Sequence, residues 1–123
     1  MQSGACEALR IINVARRSAI KASTQAINQL RALLVSAPQD VRDKLWKSKP
    51  HECVTACINS EVSEHSPLRI ALCSTLRSLA KRWMALTEEL NELDESLDKL
   101  TSKYATNLRN HLGVGQHTRA PPQ

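Results

Sequence analysis

The sequence predicts an all-α fold, an extended antiparallel coiled-coil hairpin of two long helices joined by a short helical connector. Three observations carry that expectation. The chain of 123 residues has three glycines, Gly4, Gly113 and Gly115, and none from Ala5 to Leu112. Strand turns draw on glycine or Asn-Gly where φ must be positive, so a long glycine-free stretch favours helices broken by other means. Apolar residues make up 41% of the chain, yet Phe is absent and there are only two Trp and one Tyr. Sandwich and α/β cores use more aromatic and β-branched side chains than this. The third observation is a leucine repeat in the second half of the chain, described below.

The first long helix is expected at about 5–36. Ile12, Ala15, Ala19, Ala22, Ala26, Leu30 and Leu33 recur every three or four residues, and Ile20, Ile27 and Leu34 widen the stripe. Alanines in such a stripe let a second helix approach closely. Arg10, Arg16, Arg17, Lys21 and Arg31 place five cations on this helix, and no acidic residue lies between Ala8 and Gln39. Arg10, Arg17, Lys21 and Arg31 share one face with Asn28. The helix thus holds five cations against one acid, Glu7, in a chain whose net charge is +5.

Proline supplies the breaks, at Pro38, Pro50 and Pro67. Ser36 is placed to cap a short helix running to Trp46, with Pro38 in its first turn. Asp40 with Lys44, and Asp43 with Lys47, are four apart and spaced to pair across a turn. Glu52 to Asn59 reads as two more turns, and residues 60–66 as a loop. Ser66 and Pro67 open the second long helix, expected at 67–112. In it Leu72, Leu76, Leu79, Trp83, Leu86, Leu90, Leu93, Leu97, Leu100 and Tyr104 alternate spacings of four and three without a fault. That is a heptad seam. At ~1.5 Å per residue this helix reaches roughly 70 Å, too long to be buried within so small a globule. It must lie along another helix, of this chain or of a second copy, and a homodimer is expected. Its start is basic (Arg69, Arg77, Lys81, Arg82) and its middle acidic (Glu88, Glu89, Glu92, Asp94, Glu95, Asp98). The acidic part suits the basic first helix, a partner's basic half, or plain solvation. Gly113 is spaced to cap the helix end.

Chemistry-bearing motifs are sparse. Phosphate loops, dinucleotide fingerprints and histidine-glutamate zinc motifs are absent. His51, Cys53 and Cys57 are the best metal candidates, but the Cys spacing is not the tight zinc knuckle and a fourth ligand is not evident, so no metal site is assigned. The cysteines fit small buried hydrophobes better. With no secretory start and no apolar run near membrane length, the expectation is a cytoplasmic protein with reduced thiols and no membrane association. The basic stripe is the strongest binding candidate, because phosphate contact needs cations on one face without acids to cancel them. A face docking on the acidic part of the second helix explains the same residues. The tetrapeptide Leu112, Gly113, Val114 and Gly115 is similar to the hairpin of a helix-hairpin-helix element, whose exposed backbone N–H groups meet a DNA phosphate.

The run from Ala15 through Arg16, Arg17, Ser18, Ala19, Ile20 and Lys21 to Ala22, then Thr24 to Val35, closing on Ala37 and Pro38, resembles a bacterial family. It is similar to the central region of insertion-sequence transposases with a RuvC-like DEDD domain, related to the Piv invertases and described as bridge-RNA-guided recombinases. Leu76 to Ala80, Leu86 with Thr87, and Glu92 to Asp94 resemble that family's second long helix. Leu112 to Gly115 with Thr118 resembles the motif opening its C-terminal transposase domain. The resemblance covers roughly Leu9 to Ala120.

The resemblance implies a helical coiled-coil connector over 1–112, then the truncated and disordered start of a transposase domain over 113–123. It implies a bacterial, cytoplasmic fragment of an enzyme of DNA transposition and site-specific recombination. Such a connector spaces and dimerises catalytic domains and contacts the backbone of DNA or of a structured guide RNA. That strengthens the expectation of contact by the basic stripe and the glycine hairpin, at Arg10, Arg16, Arg17, Lys21, Arg31, Gly113 and Gly115. The DEDD carboxylates and the catalytic serine have no counterpart here, so this chain is expected to be inactive alone and to hold no cofactor; a divalent metal would belong to the missing DEDD domain. Pro121 and Pro122 stand where that pattern continues as a helix. The rival expectations are a structural coiled-coil dimerisation adaptor without nucleic-acid binding, and an enzyme using Cys53 and His51.

Overall fold

The computed structural model describes residues 3–61 and 66–112, with side chains placed from 4 to 61 and from 66 to 106. Four helices account for nearly all of them: α1 (Ser3–Val35), α2 (Gln39–Leu45), α3 (Pro50–Ile58) and α4 (Pro67–Leu112). Among the described residues there is no strand, so the fold is all-α. The chain divides into two compact units, residues 17–90, and residues 3–16 with those from 91 onward.

The 17–90 unit holds the core. Leu30 and Leu34 of α1, Val41 and Leu45 of α2, Cys53, Val54 and Cys57 of α3, and Leu76 and Ala80 of α4 form one buried cluster. All four helices are needed to close it, which is why the short α2 and α3 persist although isolated helices of their length are marginal in water. Leu30, Leu34, Val54 and Leu76 are fully buried. On α1 the buried line continues as Ala19, Ser23 and Ala26, small side chains that let another helix approach closely. Ser23 is tolerated there because its hydroxyl donates to the Ile20 carbonyl at 3.0 Å.

On α4 the buried line is Cys73, Leu76 and Ala80, with Leu72, Leu79 and Trp83 half-buried beside it. The expected seam is therefore present, but only Leu76 is at its centre. Packing against α2 and α3 as well as α1 shifts and widens the buried face beyond a two-helix seam. From Leu86 to Leu100 every seam leucine is half-buried, and Tyr104 is exposed.

The helix ends follow local chemistry. The expected Ser36 cap is not formed: Pro38 occupies the N-cap of α2 without a side-chain cap bond. The Ser36 hydroxyl turns back to the Ala32 carbonyl at 3.0 Å, and the guanidinium of Arg42 donates to the Val35 carbonyl at 3.0 Å. Both serve the orphan carbonyls that end α1. The i,i+4 pairs expected on α2 are also not formed among the described residues. Asp40 instead takes both terminal nitrogens of Arg69, at 2.8 and 3.0 Å. A two-pronged arginine has better geometry than an exposed lysine on the neighbouring turn. Arg69 is placed for this because α4 starts as expected, with Ser66 Oγ accepting from the Arg69 backbone N–H at 3.1 Å and Pro67 in the first turn. The clamp joins the start of α2, just past the end of α1, to the start of α4. Helices α1 and α4 therefore run antiparallel through the core they share, as a helical hairpin. Helix α3 begins two residues before the expected Glu52, because Pro50 occupies its first position.

Leu76→Ala is expected to lower the unfolding free energy by about 2–5 kcal/mol. Thr75→Ala, on the exposed side of the same helix, should change it by less than about 0.5 kcal/mol. Urea unfolding followed by helical circular dichroism measures both.

Candidate nucleic-acid interface

The five cations of α1 do not form one free surface. In the unit of residues 3–16 and 91 onward, Arg10 pairs with Glu7 one turn earlier. Arg16 pairs with Asp94 of α4. Of the arrangements open to the acidic stretch of α4, the one within the chain is thus realised at Asp94. Surface pairs of this kind contribute only about 0–1 kcal/mol. They fix geometry more than they add stability.

In the 17–90 unit the remaining three cations differ sharply. Arg31 is committed to the chain. Its guanidinium donates to the carbonyls of Lys47 at 3.1 Å and Ser48 at 2.9 Å, and stands 5.1 Å from the centre of the Trp46 ring. Its Nε is buried without a partner among the described residues. Arg31 therefore bolts the turn between α2 and α3 to α1. Arg17 and Lys21 are exposed, and neither takes an ion pair among the described residues. Of the seven expected contact residues, these two are the exposed cations with no side-chain partner among the described residues. Gly113 and Gly115 lie outside the described residues.

The thiols lie elsewhere. Cys53, Cys57 and Cys73 are buried and Cys6 is exposed, all unoxidised. The Cys53 thiol points at the Leu45 carbonyl, 3.5 Å away. Burial first, and the neighbouring Cys53 and Cys73 second, push the Cys57 thiol up to about 12. That is the reverse of what a thiolate nucleophile needs. His51 sits on the exposed side of α3 with its ring edge-on to Trp83 at 6.3 Å. Among the described residues no group of three His, Cys, Asp or Glu is arranged to hold a metal ion, and no helix is long and apolar enough to cross a membrane.

Sequence reasoning missed the Asp40–Arg69 clamp and the Arg31 bolt, because both join residues far apart in the chain. The exposed Trp46 between Lys44 and Lys47 was legible as an aromatic flanked by cations, but it lies outside both long helices. No family model matches this chain, and no curated protein and no solved structure matches it.

Two consequences of the thiol burial are measurable. In the native protein an aromatic disulfide reagent at pH 8 should react with Cys6 alone, and the other three cysteines should react only on unfolding. Because the folded-state pKa of Cys57 lies above the ordinary 9.0, the stability its protonated form contributes is whole below pH 9 and is lost as pH rises toward 12. The stability advantage of wild type over Cys57→Ala should accordingly shrink above pH 9.

Proposed function

We propose that the chain is a helical connector of a transposase-like recombinase, which associates with a second copy through α4 and meets a nucleic-acid backbone with its basic residues. The observation that carries this reading is the half-exposed leucine seam. In the unit of residues 3–16 and 91 onward, Leu93, Leu97 and Leu100 are only half-buried, and Ile11 and Val14 of α1 are 56% and 46% exposed. Two helices cannot cover a heptad seam and a second apolar face at once, and a further helix completes such packing. The open cations Arg17 and Lys21 support the nucleic-acid part, as does the resemblance of residues 15–38 to the transposase connector.

One observation favours the adaptor reading: Arg10, Arg16 and Arg31 are engaged within the chain. A salt series separates the two. The purified chain is mixed with duplex DNA and with a structured RNA while its mass is measured. The connector reading expects a dimer that binds with an affinity falling steeply as salt rises, weakened by Arg17→Glu with Lys21→Glu. Leu97→Asp should return the mass to the 13.7 kDa of one chain. A dimer that binds neither polymer at low salt is an adaptor, and a monomer at all concentrations removes the association.

A further inference from the structure

The bend between α2 and α3 has features that the α1 stripe lacks. Trp46 and Lys49, at its two ends, have extended backbone (φ −71°, ψ 124° and φ −89°, ψ 133°). The stretch between them is held from behind by the two hydrogen bonds of Arg31 to the Lys47 and Ser48 carbonyls. An indole that a small core would readily bury is instead 38% exposed. It lines an open hollow of about 370 Å³ with Val35, Arg42 and Asp43. A second hollow of about 290 Å³ has Lys44, Lys47 and Asn59 on its walls, with Glu61. Between residues 42 and 49 there are four cations, Arg42, Lys44, Lys47 and Lys49, against Asp43 alone. All three lysines are exposed, and none takes an ion pair among the described residues.

We propose that this bend is a binding site for single-stranded nucleic acid. A base stacks against Trp46 in the first hollow, and the adjoining phosphates meet Lys44 and Lys47 at the second. Single-strand sites combine a basic track with aromatic stacking, because every base has a face to offer once it is out of the duplex. Residues 42–47 contribute walls to both hollows. Asp43, the one acid of the first hollow, is an acceptor suited to an exocyclic amino group on a base edge. Arg31 already rests on the indole, so the ring is oriented before a ligand arrives and little ordering is left for binding. The proposal rests on the nucleic-acid reading above and moves its main contact from α1 to the bend.

The test uses the full chain and a fluorescent ten-nucleotide DNA of mixed sequence, single-stranded and as a duplex, with anisotropy read at low salt. The single strand is expected to bind more tightly than the duplex. Trp46→Ala should weaken it by roughly tenfold or more, Trp46→Phe should retain most of the affinity, and Lys44→Glu with Lys47→Glu should remove it. Circular dichroism of each variant checks that the helices remain, and the Phe variant guards against a loss due to misfolding. Unchanged binding by Trp46→Ala, or tighter binding of the duplex, overturns the site. If Arg17→Glu with Lys21→Glu removes binding while the bend variants do not, the bend proposal falls and the nucleic-acid reading stands. If neither strand form nor structured RNA binds, both fall.

Discussion

A leucine seam longer than the core that covers it is the constraint on which the rest of this structure depends. Helix α4 carries the repeat over ten positions, but four helices converge only where Leu76 and Ala80 meet Leu30, Leu34, Val54 and Leu45. There the seam is closed, and α2 and α3 exist as short helices because they close it. In residues 91–106 α4 has the early part of α1 to pack on, and its leucines stay half in water. Each apolar residue left partly exposed forgoes part of the roughly 1.5–3 kcal/mol its full burial contributes. A run of several is a standing drive toward association.

The arginines divide by what surrounds them rather than by their position on the α1 stripe. Arg31 is drawn inward because two carbonyls in the turn between α2 and α3 need donors and the indole of Trp46 offers a face. Arg16 is drawn to Asp94 because the acidic stretch of α4 passes beside it. Arg69 grips Asp40 in a two-pronged pair and holds that carboxyl below its ordinary value. Arg17 and Lys21 on α1 stay open to an acidic polymer, as do the lysines at the bend between α2 and α3 and the exposed Lys81, Arg82, Lys99 and Lys103 of α4.

The helices were legible because their signals are local. Proline at 38, 50 and 67 marked every break, Ser66 capped α4 as its position promised, and the leucine spacing announced α4 over its full length. The core was half legible. The alanine line of α1 was readable, but Ser23 was not, because a hydroxyl that satisfies itself on its own helix leaves no mark in a polarity pattern. The shift of the α4 core from Leu72 and Leu79 toward Cys73 and Ala80 depends on where α2 and α3 dock, which no heptad encodes. Periodicity put Arg10, Arg17, Lys21 and Arg31 on one face, yet only partners distant in sequence decide which of them is free.

Hydrogen exchange along the chain, measured at low and high protein concentration, tests the central claim most directly. Amides near Leu30, Val54 and Leu76 should be protected equally at both concentrations, because their cover comes from within the chain. Amides of residues 91–106 should gain protection as concentration rises, because their cover comes from a second copy. Equal protection of that segment at every concentration would contradict the account, and would mean that α1 alone suffices to hold the seam.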